Sequence, residues 1–253
     1  MNVVNSRWVY KIKRRSDGSI KRYKAHLVAR GFTEQEGIDY SETFSSVIKQ
    51  ATVRVVFSIV VSYDWKIHQL DIHNAFLNGV LDEEVYMKEP PGFVDSVLPS
   101  HLCRLHKSLY GLKQALRAWY THLNDFLSSI GFRASKVDTS LFIFPVGTDI
   151  CYLQVYIDDI LLTGRNSLLL QRLIQLLNSE FKLHDLGSIH YVLGIEVQPT
   201  GRGLMLRQHK YTLDILTRDG FISLSHVKPA QHRLAIFHFC VRLVCWSRCL
   251  VFN

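Results

Sequence analysis

Acidic residues are scarce in two stretches of this chain, and each shortage excludes something. Between Arg7 and Arg30 nine lysines and arginines, Lys11, Lys13 and Lys24 among them, meet a single acid, Asp17. Outside that arm basic and acidic residues balance, so the whole formal excess of +8 belongs to it. A solvated charged face is the ordinary reading of such a run; a concentrated basic arm is also the electrostatic footprint of a phosphate-rich partner. After Asp219 there is no acid at all. Cysteine is sparse and follows no regular framework, which excludes a disulfide scaffold and points to free thiols in a reducing compartment. Met1 to Arg15 is polar and basic with no apolar centre, so no secretory signal is predicted. The most apolar run, Leu234 to Phe252, is broken by Arg242 and Arg248, against a membrane span. At 47% hydrophobic and 21% charged, the 253 residues are globular rather than disordered, enough for one large domain or two small ones.

What the chain does contain is organised around Tyr156-Ile157-Asp158-Asp159. The runs on either side, Ile150 to Val155 and Ile160 to Leu162, read as strands, which puts the acidic pair at a tight hairpin turn. Strand alternation predicts that the two carboxylates do not point the same way. Adjacent aspartates are also ordinary turn chemistry. A further acid, Asp71, ends the segment Trp65 to Leu70. Phosphoryl transfer on divalent metal draws acidic ligands from separate strands, and Mg2+ takes only one or two carboxylates because it keeps several waters.

The other elements are read from spacing. Trp8–Lys13 and Ile20–Ala25 flank Ser16-Asp17-Gly18-Ser19, a strong hairpin signal. Alternation places Trp8, Tyr10 and Ile12 on one face and Lys11 and Lys13 on the other, where they can approach phosphates. Gly31 to Phe44 reads as an irregular connection. Val53, Val56, Phe57 and Val60 keep helical spacing within Gln50 to Tyr63, although β-branched residues weigh against a helix there. Val85–Lys88 is a predicted strand stopped by Pro90-Pro91-Gly92. A helix follows Ser108-Leu109-Tyr110-Gly111-Leu112-Lys113-Gln114, with Leu116, Trp119, Leu123, Phe126, Leu127 and Ile130 as its stripe and Gly131 as its end. Gly111 is expected to allow close backbone approach where a template or nucleotide packs. Ser140–Phe144 is a predicted strand. Asn166 or Ser167 caps a helix through Leu170, Leu173, Ile174 and Leu177 to about Phe181, and Tyr211 to Gly220 is a short helix with Ile215 and Leu216 inward. Cys240, Cys245 and Cys249 with His232 and His238 raise a zinc site, but their spacing matches no standard pattern.

The segments Trp65–Gly79, Ser108–Tyr120, Cys151–Gly164 and His184–Val197 together resemble, in order, the polymerase motifs of reverse transcriptases, in the form found in copia-type LTR retrotransposon Pol polyproteins of plants. The resemblance covers about Trp8 to Gly220 and implies an α+β fold, the fingers and palm of a right-hand polymerase, with an antiparallel palm sheet packed against helices. Residues 1–65 would form part of the fingers with the basic hairpin, 66–199 the palm with a fingers segment at about 91–115, and 200–229 the start of a thumb or connection. The resemblance implies RNA-directed DNA polymerase activity by two-metal nucleotidyl transfer. Asp71, Asp158 and Asp159 would hold Mg2+ (or Mn2+), and Lys182 would be the general acid for pyrophosphate, although an exposed lysine at a helix end needs no such role. Lys11, Lys13, His26, Phe76, Gln114 and Tyr156 would contact the nucleotide. Phe76 would exclude a 2′-hydroxyl, unless it is ordinary core. Leu193 and Gly194 would form the primer grip.

Implied partners are a primed RNA or DNA template and deoxynucleoside triphosphates, with no membrane, in a cytoplasmic virus-like particle or the nucleus; oligomeric state is left open. Two positions depart from the pattern. Lys-Ala-Arg-Leu-Val-Ala reads Lys24-Ala25-His26-Leu27-Val28-Ala29 here, and Leu116 stands where a small residue or proline is usual. The pattern vanishes near Ala230, as expected if residues 230–253 are read out of frame or past a lost boundary. Two competing readings remain: an inactive retrotransposon remnant that at most binds nucleic acid, and another metal-dependent palm enzyme such as a nucleotide cyclase, against which Phe76 and the basic hairpin speak.

Overall fold

The computed structural model describes residues 2–218, apart from positions 16, 44, 46, 47, 148, 201 and 202. The tail at 230–253, with the candidate zinc residues, lies outside the described residues, as does all but the first part of the 200–229 segment.

After a short strand β1 (Val3–Val4), β2 (Ser6–Arg14) and β3 (Ile20–Ala29) form a two-stranded ribbon. Val9 pairs with His26, Lys11 with Lys24 and Lys13 with Arg22 on one face; Tyr10 with Ala25 and Ile12 with Tyr23 share the other. This is the predicted alternation. At the turn the Asp17 carboxylate accepts from the Ser19 N–H and hydroxyl at 2.8 and 2.6 Å, which holds its carboxyl below the usual range. The Trp8 indole N–H donates to the Pro91 carbonyl at 3.0 Å and the ring lies 6.0 Å from that of Phe93, tying the ribbon to the proline loop.

Helix α1 (Gln50–Tyr63) buries Val53, Val56, Phe57 and Val60, the four residues whose spacing predicted it. Packing of that face outweighs the β-branched content. β4 (Lys66–Ile72) then leads to β5 (Val80–Lys88), which pairs in parallel with β1 and antiparallel with β6 (Leu102–Lys107). α2 (Ala115–Ser129), β7 (Arg133–Ala134), β8 (Leu141–Val146), β9 (Asp149–Tyr156), β10 (Asp159–Gly164), α3 (Ser167–Glu180) and β11 (Leu183–Ser188) follow. A last sheet comprises β12 (Tyr191–Val192), β13 (Ile195–Thr200) and β14 (Gly203–Arg207), and α4 (His209–Arg218) closes the described chain.

The central sheet runs β11-β4-β10-β9-β8-β7, and every neighbouring pair is antiparallel. Both of its faces are covered. Leu70, Ile72, Leu153, Ile160 and Leu162 pack with Trp119, Leu123 and Leu127 of α2 and Leu170, Leu173 and Leu177 of α3. Ile67 and Leu161 point the other way, into a second core with α1 and with Val192 and Val197. Double coverage explains why Ile160-Leu161-Leu162 is a continuous apolar run rather than an alternating one. The α+β architecture, an antiparallel sheet against helices, is therefore observed. Among the described residues no helix is long and apolar enough to cross a membrane.

Asn166 caps α3 as predicted, its Oδ1 accepting from Leu168 N–H at 3.1 Å and Leu169 N–H at 3.2 Å. Asn166→Ala should therefore lower stability by about 1 kcal/mol in urea unfolding; an unchanged midpoint would show that solvent satisfies those donors equally well.

Candidate active site

The hairpin of β9 and β10 turns through Ile157 and Asp158, with Tyr156 paired to Asp159. Ile157 is left-handed (φ 57°), a conformation that a β-branched residue adopts only under constraint. Its neighbours supply that constraint: the Trp119 indole N–H donates to the Ile157 carbonyl at 2.7 Å, and the Ile72 N–H donates to the Asp158 carbonyl at 2.8 Å. Asp71 in β4 lies directly opposite Asp159 in β10. Acids 88 positions apart in the chain thus meet at one end of two neighbouring strands. Asp159 shares the sheet face of Asp71, whereas Asp158 sits in the turn, outside the ladder.

Burial pushes the carboxyl of Asp158 up, and the nearby charge of Asp71 raises it further, with Lys24 pulling it down. Asp159 is raised by burial, then by Asp158 and Asp71, against a hydrogen bond from Gln69. Crowded, partly desolvated carboxylates repel one another and favour a cation between them. The donors are oxygens only, which suits Mg2+ or Mn2+. Among the described residues no three His, Cys, Asp or Glu side chains are gathered closely enough to hold a metal ion.

The other predicted residues divide. Phe76, in the 3-10 turn Ala75–Asn78, lies 4.9 Å ring to ring from Tyr110, and Tyr110 lies 5.5 Å from His26. The Ser108 hydroxyl donates to the Phe76 carbonyl and fixes that turn. Burial, then Asp158 and Asp71, raise the Tyr110 hydroxyl, so this aromatic wall adjoins the carboxylates. His26 is lowered by burial, then by Lys24 and His73, which favours its neutral imidazole. Lys11 and Lys13 lie on the ribbon face of Lys24, the cation that acts on Asp158. The Lys182 carbonyl accepts from His73 N–H at 2.9 Å, which sets this exposed residue beside the end of β4. Tyr156 ends β9 partly exposed. Leu193 and Gly194 are both left-handed (φ 53° and 78°) and form the two-residue turn between β12 and β13.

Two of the residues are engaged by the chain itself. Gln114 is buried, its amide donating to the Asp39 carbonyl at 3.3 Å. Gly111 does permit a close approach, but of the chain to itself. A Cβ there would stand 2.1 Å from the Ala29 carbonyl, and Ala29 N–H donates to the Tyr110 carbonyl at 2.7 Å. The segment that looked like a nucleotide contact thus anchors the root of the ribbon. Sequence reasoning gave no individual site role to Lys24, Gln69 or Tyr110, although all three lie inside quoted motifs; Gln69 carries no signal of its own, being one amide in a mixed polar and apolar strand.

Residues 1–228 match the family described as reverse transcriptase (RNA-dependent DNA polymerase). The chain belongs to the reverse transcriptase family. This family member is 47% identical over 235 residues to the "Retrovirus-related Pol polyprotein from transposon RE2" of Arabidopsis thaliana, and equally to that from transposon RE1. It is 37% identical over 232 residues to the Pol polyprotein from transposon TNT 1-94 of Nicotiana tabacum. These alignments cover 90% or more of the present chain but only 16–17% of each relative, so the reverse transcriptase segment spans about a sixth of the length of the curated relatives it matches. It corresponds to the reverse transcriptase domain of copia-type Pol polyproteins.

Proposed function

We propose that the chain copies a primed RNA or DNA template into DNA from deoxynucleoside triphosphates. The ribbon and the segment at about 91–115 would act as fingers, the central sheet as palm, and the chain from residue 200 as the start of a thumb. The observation that supports this best is the register of Asp71 against Asp159 with Asp158 in the adjoining turn. Asp71 and Asp158 would be the direct Mg2+ or Mn2+ ligands and Asp159 an accessory one. Such an ion, when bound, neutralises the triphosphate and polarises the attacking oxygen. In the step itself the primer 3′-oxygen forms a bond to the α-phosphorus, the bond from that phosphorus to the bridging oxygen breaks, and pyrophosphate leaves.

The residues of the chain bind and orient the reactants. Lys11, Lys13 and Lys24 offer fixed positive charge to the phosphates from the ribbon face, and Lys182 would protonate the leaving group. Tyr156 supports the hairpin edge, while the Leu193-Gly194 turn holds the primer end; no Cβ neighbour lies within 4 Å of Gly194, so a strand can approach its backbone. Such a reaction belongs in a cytoplasmic virus-like particle or the nucleus. Primer extension on an RNA template with Mg2+ or Mn2+, against an Asp158→Asn control, tests the reading. A second reading, a remnant that only binds nucleic acid, is favoured by the neutral His26 at the place of a guanidinium; it requires salt-dependent binding without extension.

Phe76 supplies a further prediction. With its backbone fixed by Ser108 and its ring against Tyr110, truncation should open space at the sugar. Phe76→Ala is expected to reduce discrimination against ribonucleotides by roughly 10- to 100-fold in competitive incorporation. Unchanged selectivity would return Phe76 to the role of core residue.

A further inference from the structure

Gln69 joins the two functional hairpins. It lies in β4 two residues before Asp71, on the same face, and is only 7% exposed. Its Nε2 donates to the Tyr191 carbonyl at 2.9 Å. Gln69 lies opposite Leu161 in the β4–β10 ladder, so Asp159 is its diagonal neighbour on the same sheet face, near enough for the amide to lower the Asp159 carboxyl as a donor does. Tyr191 opens β12, two residues before the left-handed Leu193-Gly194 turn, and Asp159 faces Asp71 across the β4–β10 ladder. The primary amide has two N–H groups, so it can serve both acceptors at once, and no other neutral side chain has that reach and donor count except asparagine, which is one methylene shorter. The amide is enclosed, so water does not readily replace either bond. A movement of the primer-grip hairpin therefore pulls on the carboxylate beside the metal-binding acids, and repositioning of that carboxylate pulls on the hairpin.

We infer that Gln69 is a positioning residue that couples cation binding at the carboxylates to primer engagement at the Leu193-Gly194 turn. The inference rests on the polymerase reading above and adds to it a linkage between two sites. Linkage is reciprocal: a cation that tightens duplex binding is itself bound more tightly by the duplex complex. A purely structural glutamine would affect stability and leave that linkage intact.

The test reads binding without turnover. Anisotropy of a labelled primer–template duplex is measured without nucleotides, with and without Mn2+ at constant ionic strength, for the wild-type chain, Gln69→Met and Gln69→Leu. The wild-type chain is expected to bind a recessed primer end more tightly with the cation by a factor of about 5–100, the usual range for coupled sites. Gln69→Met, which fills the same volume without donors, should bring that factor to near one while cation-free affinity stays within about twofold. Gln69→Leu, which also lacks donors and adds no charge, should do the same and covers the case in which the methionine variant fails to fold. A coupling factor unchanged in either folded variant overturns the inference, as does a wild-type chain with no cation effect. If the wild-type chain nevertheless extends primers, the polymerase reading stands and only the coupling falls; failure of both extension and cation-dependent binding removes the two together.

Discussion

Asp158→Asn is expected to lower primer extension by about a thousandfold or more, and in the metal-free state to make the folded chain more stable. The first effect follows from removing a charged ligand of an ion that supplies several kcal/mol to the transition state, at about 1.4 kcal/mol per tenfold in rate. The second follows from the electrostatics of the empty carboxylates. Burial and then Asp71 raise the Asp158 carboxyl above its ordinary value, and Asp159 is raised by burial and by Asp158. A carboxyl with a raised folded-state pKa binds its proton more readily when the chain is folded. The stability it confers is complete below the unfolded pKa and is lost as pH rises through the folded one. At neutral pH the ionised group therefore opposes folding, and asparagine, which does not ionise, removes that opposition; half-exposure of the group screens the effect and keeps it modest. Thermal unfolding in chelator should show a higher midpoint for Asp158→Asn near neutral pH, with the difference closing as pH falls below about 4, the ordinary carboxylate range. Adding Mg2+ should raise the wild-type midpoint more than the variant's. A variant that extends primers normally would remove Asp158 from the ligand set. A variant less stable at neutral pH would show that the carboxylate holds the turn together instead.

That combination of signs could be anticipated only in part from the sequence. Periodicity located α1, α2 and α3 because their apolar stripes are buried against a sheet: Val53, Val56, Phe57 and Val60 define a face whatever the neighbouring elements are. Turn chemistry likewise located the Asp17-Gly18 hairpin and the Asn166 cap, since both are satisfied by residues two or three positions away. Strand order is a different matter. Nothing local says that β4 lies between β11 and β10, or that β1 pairs in parallel with β5. Here the ordered motifs, rather than any pattern within one of them, brought Asp71 to Asp158. The same reasoning gave no sign of the internal contacts of Gln114 and Gly111, because a polar residue and a glycine can serve the chain's own backbone as readily as a ligand. Gln69 was missed for the complementary reason: the two groups it joins are 32 residues apart in sequence, one of them a backbone carbonyl. Contacts to backbone far away in the sequence leave no trace in residue type.

Trp119 should show the largest effect on folding. It is 1% exposed, its ring meets Phe181 edge to face at 5.2 Å, and its indole N–H is bonded to the carbonyl of the left-handed Ile157. Trp119→Ala is expected to cost about 3–5 kcal/mol, a large part of the about 5–15 kcal/mol that ordinarily separates folded from unfolded domains. Trp119→Phe distinguishes the two roles of the side chain. It retains an aromatic ring for the core but removes the only N–H, leaving the Ile157 carbonyl without that donor at a cost of about 1–3 kcal/mol. Ile157 is held in a conformation that itself costs on the order of 1–3 kcal/mol, so once the indole bond is gone the turn has reason to relax and to carry Asp158 with it. Urea unfolding should therefore show a moderate loss for Trp119→Phe, while primer extension falls further than the folded fraction accounts for. Adding Ile157→Gly, which occupies the left-handed region without strain, should recover part of the lost stability in the Trp119→Phe background. If turnover instead follows the folded fraction alone, Trp119 packs the core and the carboxylate turn keeps its shape by other contacts. The indole bond is then the wrong place to look for what holds Asp158 against Asp71, and the Ile72 N–H to Asp158 carbonyl bond, next to the Asp71–Asp159 pairing of the ladder, is the tie that keeps the turn in place.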